Sequence, residues 1–341
     1  MLHHKTTLKF EENGDPTMKR IVSVILAMLM IASMLVLVSC KDKKNDGKYV
    51  VGVCQLVQHP ALDAATQGFV DTLKAEFGDN IEIIVENASG EPATCTTIVN
   101  NFVSKKVDLI MANATPALQA AAQQDEIPVL GTSITEYGVA LGIDNFNGLI
   151  GANVSGTSDL APLDQQAQMI RDLFPNAQKI ALLYCSSEAN SQYQVKEIKR
   201  LLVSKGIAAD NIKEYAFTDS NDVSTIAAKA ATETDLIYIP TDNTAASCTE
   251  TISNVIGDTP VIAGEEGICK GCGVATLSIN YYDLGVATAK MAIKILKGEA
   301  DIEEMRIEYS AKFTFKYNAK RCEELGIDVE ALKAKGYVAI D

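Results

Sequence analysis

Short apolar runs alternate with longer amphipathic segments along most of this chain, and that alternation limits the folds open to it. The run Tyr49 to Leu56 predicts a buried strand, and Ala61 to Phe77 carries apolar residues at helical spacing. The alternation continues to a helix predicted at Tyr282 to Leu296. Because continuously apolar strands separated by helices are typical of a parallel sheet covered on both faces, we predict an α/β fold.

The pattern occurs twice, which predicts two lobes. The tripeptide Asp-Leu-Ile stands at 108–110 and again at 235–237, and each copy is followed seven residues later by a polar residue, Thr115 or Asp242. A helix and then a short apolar strand are predicted after each of them. We therefore predict two doubly wound parallel-sheet lobes.

Four local predictions concern the connections within these lobes. The first is a short helix at Pro116 to Gln124, and the second is a glycine-rich connection from Gly138 to Gly156 that closes the first unit. The third is a single helix from Thr244 to Ile256. The fourth is one strand-like run from Met305 to Phe315.

The N-terminal region carries an export segment. Lys19 and Arg20 precede an uncharged apolar run that ends at Cys40, which is typical of a secretory signal peptide at 18–40. An uncleaved membrane helix is the alternative, because about 18 apolar residues are near the minimum for spanning a bilayer. The polar stretch 41–48 suits a tether. Residues 1–17 do not suit a signal peptide, so we predict that translation starts at Met18.

Composition and charge exclude several functions. The net charge is −14, so an acidic surface would repel nucleic acid, and no basic stripe is present. No phosphate-binding glycine loop or nucleophile motif occurs, and His59 is the single histidine after Cys40, so we predict that the protein is not an enzyme. Cys269 and Cys272 have metal-ligand or redox spacing, but no second pair accompanies them. We therefore expect free thiols, with no metal and no cofactor.

Polar residues cluster where the predicted strands end. Ligands of open parallel sheets bind beyond the carboxyl ends of the strands, near the N-termini of the helices that follow. The candidate ligand-binding residues are Gln58, His59, Thr115, Thr132, Ser133, Ser158, Asp159, Ser187, Glu188, Asn190, Ser191, Asp242, Asn243 and Glu265.

An amino-acid ligand needs a partner for each of its charges. Asp242 and Glu188 are the candidates for contacting its ammonium group. Asp242 could instead cap the helix that begins near Thr244, or do both, and Glu188 could instead lie in a solvated loop. His59 precedes Pro60 and could shape its loop rather than contact the ligand.

Several local patterns together resemble one protein family. They are Gln58-His59-Pro60-Ala61-Leu62-Asp63, Ala114-Thr115-Pro116, Gly156-Thr157-Ser158-Asp159, Leu183-Tyr184, Ser187-Glu188-Ala189-Asn190-Ser191 and Pro240-Thr241-Asp242-Asn243. They resemble the solute-binding lipoproteins of ABC importers, in the branch whose studied members bind tryptophan or tyrosine. That family has the type I periplasmic-binding-protein fold. The end of the apolar run, Leu37-Val38-Ser39-Cys40, resembles the lipobox of bacterial lipoproteins, in which the cysteine carries lipid, and this resemblance implies lipidation at Cys40.

The resemblance also implies a domain organisation and a function. Three segments would cross a hinge near Ser158, Ile279 and Arg306, with 49–158 and 280–305 in lobe 1 and 159–279 and 306–341 in lobe 2. The protein would be a monomer anchored by lipid to the outer face of the cell membrane. It would bind a small amino acid of the aromatic class and deliver it to a permease and its ATPase subunits. A sensor lipoprotein of the same fold is the alternative function, and a purine nucleoside, a branched-chain amino acid or a peptide fragment is the alternative ligand.

Overall fold

The computed structural model describes residues 47–340. The predicted start at Met18, the signal peptide at 18–40, the lipidated Cys40 and most of the tether at 41–48 therefore lie outside the described residues. The chain from Lys48 onward forms one compact unit.

The elements of the described chain alternate as the sequence predicts. The first half contains β1 (Tyr49–Gln55), α1 (Pro60–Phe77), β2 (Ile81–Asn87), α2 (Pro92–Lys105), β3 (Leu109–Asn113), α3 (Thr115–Ala121), β4 (Val129–Ile134), α4 (Tyr137–Leu141) and β5 (Val154–Ser158). The next segment contains α5 (Leu163–Leu173), β6 (Ile180–Cys185), α6 (Ala189–Ser204), β7 (Ile212–Phe217), α7 (Val223–Glu233), β8 (Leu236–Ile239), α8 (Asn243–Ser247), α9 (Thr249–Val255), β9 (Val261–Ala263), α10 (Glu266–Cys272) and β10 (Ala275–Ser278). The last part contains α11 (Tyr281–Leu296), β11 (Glu308–Tyr309), β12 (Thr314–Tyr317), α12 (Ala319–Glu324), α13 (Val329–Ala334) and β13 (Val338–Ala339).

Lobe 1 is built on a six-stranded sheet whose order is β11-β5-β4-β3-β1-β2 and whose strand pairs are all parallel. Alternate strand residues face opposite sides of it, as strand geometry requires. Cys54 and Ile110 face the helices α2 and α3, whereas Val53 and Met111 face α1 and α11. Both faces are covered, so this lobe is doubly wound as predicted.

Lobe 2 is built on a seven-stranded sheet whose order is β13-β12-β10-β9-β8-β6-β7. Its central strands are parallel, and two apolar clusters cover its faces. The sheet is parallel as predicted except for one pair, because β12 runs antiparallel to β10. This strand enters the sheet from the hinge without a crossover helix, and so it can run in the opposite direction.

Three segments connect the lobes. The chain leaves the first sheet after Ser158, returns to that lobe at Tyr281 and crosses again between Tyr309 and Thr314. The third crossing was predicted near Arg306, and that position is wrong. Glu308 and Tyr309 pair with the end of β5, which keeps residues 306–309 in lobe 1.

The four local predictions fared differently. A short helix follows Ala114, but it ends at Ala121. The glycine-rich connection contains the helix α4, which Glu136 caps by accepting from the Val139 amide. The predicted single helix at 244–256 is two helices, with a break at Cys248. The strand-like run at 305–315 is also two elements, because it contains the third crossing.

Glycines bring α1 and α11 into close contact and so position the start of α11 at the hinge. A Cβ on Gly68 would lie 2.1 Å from the Tyr282 carbonyl oxygen, and one on Gly285 would lie 1.9 Å from the Ala65 carbonyl oxygen. Only glycine permits this approach.

Candidate ligand-binding site

The polar ends of the strands in the two lobes face one another. His59, which precedes α1 in lobe 1, lies with its Nε2 atom 3.4 Å from the Asn243 side-chain oxygen in lobe 2. Most predicted site residues are buried around this contact: His59, Thr115, Thr132, Ser133, Ser158, Asp159, Glu188, Asn190, Ser191, Asp242, Asn243 and Glu265. Gln58 and Ser187 are exposed instead, and the Ser187 hydroxyl donates to the Thr218 carbonyl.

Glu188 uses its carboxylate within lobe 2. It accepts from the backbone amide of Asn243 at 3.0 Å and of Thr244 at 2.9 Å. The side chains of both residues donate to it as well, at 2.7 and 2.8 Å, and the Asn190 amide adds a fifth bond at 3.1 Å. A carboxylate with five donors neutralises the start of α8 and has little capacity left for a ligand. The structure therefore does not support Glu188 as the ammonium partner or as a solvated loop residue.

Asp242 is also occupied. It caps α8 by accepting from the Ala245 amide at 2.8 Å, and its other oxygen accepts from the Cys185 amide at 2.7 Å. Burial raises its pKa to about 8, and the neighbouring Glu188 carboxylate adds to the rise. The helix-cap alternative is confirmed, and neither oxygen of Asp242 is left open towards the cleft.

Glu265 behaves in the same way. It accepts from the amides of Gly267 at 2.7 Å and Ile268 at 2.5 Å, and so it caps α10. Burial raises its pKa to about 7. Three acidic side chains of lobe 2 are thus held by the starts of two helices.

Asp159 differs from these three. It follows β5 at the first crossing and is 3% exposed. Its Oδ2 atom accepts from the Tyr281 hydroxyl at 3.0 Å, but Oδ1 has no hydrogen-bond partner within residues 47–340. Burial raises the pKa of Asp159 to about 6, whereas the nearby hydroxyls of Tyr281 and Thr135 oppose the rise. One oxygen of this carboxyl group is therefore available to a ligand.

Three further side chains at the cleft have buried polar atoms without a partner in the described chain. These atoms are Nδ1 of His59, Oγ of Ser133 and Oδ1 of Asn190. Ser133 also has a φ of 56° at the end of β4, where the register with β5 shifts, and Ala114 in the neighbouring strand connection has a φ of 90°. Left-handed conformations of such residues cost energy and are common at binding sites.

The remaining predicted residues mainly support the structure. The Thr132 hydroxyl joins those of Thr157 and Thr288 beneath the sheet. The Ser158 hydroxyl bonds the Thr135 carbonyl, and Ser191 accepts from Asn190 at 3.3 Å. Thr115 begins α3 and is buried.

Sequence reasoning missed Tyr281. Its hydroxyl contacts Asp159, so it connects the first crossing with the second. The available signal was its position as an aromatic residue between the strand predicted at 274–279 and the helix predicted at 282–296.

Neither a metal-binding cluster nor a membrane-spanning helix is found within residues 47–340. Within residues 47–340, no group of three or more His, Cys, Asp and Glu side chains is arranged to hold a metal ion. Cys269 and Cys272 are buried thiols in the core of lobe 2, and burial raises the pKa of Cys272 to about 12. None of the described helices combines the length and the apolar character needed to cross a membrane.

Comparison with known proteins identifies relatives along nearly the whole described chain. Residues 50–335 match the family model of ABC transporter substrate binding proteins. The "Tyrosine-binding protein" of Clostridioides difficile strain R20291 is 34% identical over 298 residues, which cover 83% of this chain and 85% of the relative.

Two solved structures are informative together. A Streptococcus pneumoniae ABC domain in complex with L-Trp is 31% identical, covers 86% of this chain and 100% of its own, and has a TM-score of 0.80. The ligand-free, open structure of a substrate binding protein with adhesive properties from Clostridium difficile is 33% identical, covers 86% and 99%, and has a TM-score of only 0.64. At nearly equal identity and coverage, the described chain thus superposes better on the L-Trp complex than on the open, ligand-free structure. The chain belongs to the ABC transporter substrate-binding protein family, has its type I periplasmic-binding-protein fold, and is a binding component of transport rather than an enzyme.

Proposed function

We propose that this protein is an extracytoplasmic, lipid-anchored binding protein that captures an aromatic amino acid between its lobes and delivers it to the permease of an ABC importer. The observation that carries the proposal is a closed cleft in which buried polar atoms from both lobes lack partners. Relatives described as a tyrosine-binding protein and as an L-Trp complex support an aromatic amino acid as the ligand.

Closure explains how such a protein would retain its ligand. The partnerless atoms of His59 and Ser133 belong to lobe 1, that of Asn190 belongs to lobe 2, and Asp159 lies at the hinge. A ligand between them touches both lobes only when the lobes are closed, so it shifts the population to the closed form.

Asp159 is the proposed partner of the ligand's ammonium group. It is the one acidic side chain among those described at the cleft that keeps an oxygen open, whereas Glu188, Asp242 and Glu265 bind helix amides. A charge-assisted hydrogen bond to a buried carboxylate contributes about 1.5–3 kcal/mol.

A ligand screen tests the proposed function. The purified protein from Lys41 onward, which contains the compact unit, would be unfolded and refolded to remove any bound ligand. It would then be melted with each of the twenty amino acids and with purine nucleosides. A ligand that binds only the folded state raises the melting temperature. Stabilisation by tyrosine or tryptophan is expected, whereas stabilisation by a nucleoside or a branched-chain amino acid alone would contradict the proposal.

Anchoring and transport need separate tests. We expect Cys40→Ser to release the protein from the membrane fraction or to block signal cleavage, and unchanged retention with normal processing would rule out the lipid anchor. Uptake of the labelled amino acid should be lost when the gene is deleted. Normal uptake with a lost response to the amino acid would favour the alternative function as a sensor.

A further inference from the structure

Among the buried side-chain atoms at the cleft that lack a partner, acceptors outnumber donors. The atoms His59 Nδ1, Asp159 Oδ1 and Asn190 Oδ1 belong to side chains that are 6%, 3% and 4% exposed. A fourth acceptor without a partner, Oδ1 of Asn113, belongs to a side chain that donates to the Leu62 carbonyl at the start of α1.

The surroundings of His59 determine which of its ring nitrogens carries the hydrogen. The Asn243 side-chain nitrogen donates to Glu188 at 2.7 Å, so the Asn243 oxygen faces His59 as an acceptor. His59 must therefore carry its hydrogen on Nε2. Burial lowers the pKa of His59, so the ring is neutral and its Nδ1 is an acceptor.

The orientation of Asn190 is fixed in the same way. Its nitrogen donates to the Glu188 carboxylate at 3.1 Å and to the Thr241 carbonyl at 3.0 Å, both of which can only accept. If the amide were flipped, its oxygen would face the Glu188 carboxylate and the Thr241 carbonyl, neither of which can donate. Oδ1 is therefore the atom left without a partner.

The three acceptors belong to one hydrogen-bonded network. Glu188 binds the side chains of both Asn190 and Asn243, and Asn243 contacts His59. On the other side, Asn190 donates to Thr241, whose side chain interacts with the Tyr281 hydroxyl beside Asp159. A primary ammonium group has three N–H donors and suits such a set.

A ligand carboxylate finds fewer side-chain partners in the described part of the chain. Arg321 is the only buried Arg or Lys side chain there, and it donates to the carbonyls of Gly257 and Thr259 in lobe 2. The Ser133 hydroxyl is an open donor. The first turn of α6 has no side-chain cap, but a carboxylate bound there would lie beside Glu188.

We propose that the cleft recognises its ligand mainly through the ammonium group, and that it therefore also binds arylalkyl primary amines that lack a carboxylate. This inference rests on the proposed function, because it assumes that an aromatic amino acid occupies the cleft. It widens the ligand class from aromatic amino acids to the corresponding decarboxylated amines.

Matched analogues test the inference directly. Calorimetric titration would compare L-tyrosine with tyramine, which lacks the carboxylate, and with 3-(4-hydroxyphenyl)propionate, which lacks the amine. Tryptophan, tryptamine and indole-3-propionate form a second series. We expect each amine to bind within about tenfold of its amino acid and each acid to bind at least about a hundredfold more weakly.

The outcomes separate this inference from the proposed function. If the amino acids bind and the amines bind no better than the acids, the inference is wrong and the proposed function stands. If nothing in either series binds, the proposed function fails and the inference with it.

Variants locate the effect. Asp159→Asn should weaken the amino acid and the amine by the same factor, at least about tenfold. Asp164→Asn, an exposed position in the first turn of α5, is the matched control and should change neither. If Asp159→Asn does not fold, Asn190→Ala provides a second test, because it removes another acceptor. Undiminished amine binding in a folded variant of either residue would overturn the assignment of that residue.

Discussion

Three acidic side chains of lobe 2 and one at the hinge make different contacts, although all four are buried near the same cleft. Glu188, Asp242 and Glu265 accept from backbone amides at the starts of α8 and α10. Asp159 has a tyrosine hydroxyl on one oxygen and no partner on the other. The lobe 2 carboxylates can therefore be satisfied without a ligand, whereas Asp159 needs one.

This contrast distinguishes residues that fix the shape of the cleft from residues that contact the ligand. Buried polar groups that are fully hydrogen-bonded fix the shape of a surface, and a buried group left open costs free energy until something binds it. Lobe 2 thus contributes mainly a shaped surface, with Asn190 Oδ1 as an open acceptor at the cleft, and Asp159 at the hinge contributes an open carboxyl oxygen.

The largest expected effect is the loss of stability when Glu188 is replaced. Glu188→Ala would leave the buried amides of Asn243 and Thr244 without an acceptor, together with three side-chain donors. Because each unsatisfied buried donor costs about 1–3 kcal/mol, we expect the free energy of unfolding to fall by about 3 kcal/mol or more. Urea unfolding followed by circular dichroism measures this. A loss below about 0.5 kcal/mol would show that Glu188 does not support α8.

Asp242→Ala tests whether Asp242, rather than Asp159, contacts the ligand. The variant loses a helix cap and leaves the Cys185 amide without its acceptor, so we expect a loss of about 2 kcal/mol in the free energy of unfolding. Ligand affinity should change by less than about threefold, because both oxygens bind lobe 2 itself. Calorimetric titration beside Asp159→Asn checks this, and a tenfold loss in Asp242→Ala would make Asp242 the ammonium partner.

The sequence predicts the location of the site better than the role of each residue. Apolar runs such as Leu109 to Ala112 identify strands because they are buried on both faces, and polar residues after them identify the cleft. Whether a carboxylate remains open depends on contacts made in space. Asp242 is occupied by the amide of Cys185, which is 57 residues away, and no local pattern contains that information.

The third crossing shows the same limit. Residues 306–309 resemble the start of a strand in either lobe, and only pairing with β5 assigns them to lobe 1. A two-residue strand has too little sequence to carry a preference for one sheet.

The pH dependence of ligand affinity should report on the ionisation of Asp159. The folded pKa of Asp159 is raised to about 6 from an unfolded value near 4, so its contribution to stability is present below about pH 4 and is lost as the pH rises through about 6. The ammonium ligand needs the ionised form, so affinity should fall about tenfold per pH unit below about pH 6 and level off above it. Titrations from pH 5 to pH 8 measure this dependence. Asp159→Asn should flatten the affinity profile, but it should remove only the Asp159 part of the stability profile, because the pKa values of Asp242 and Glu265 are raised as well. A flat wild-type affinity over this range would contradict the ammonium contact.

The smallest expected effect concerns Ser133, whose hydroxyl is buried in lobe 1 without a partner in the described chain. Ser133 has a φ of 56°, so Ser133→Gly should raise the free energy of unfolding by up to about 1 kcal/mol, whereas Ser133→Ala keeps the strain. Both variants lose the hydroxyl, which is the open side-chain donor for a ligand carboxylate. We therefore expect both to weaken amino-acid binding a few fold, by about 1 kcal/mol, and to leave binding of the matching amine unchanged. Equal losses for the amino acid and the amine would show instead that Ser133 acts on the shape of the cleft, because a carboxylate contact can be lost only by a ligand that has a carboxylate.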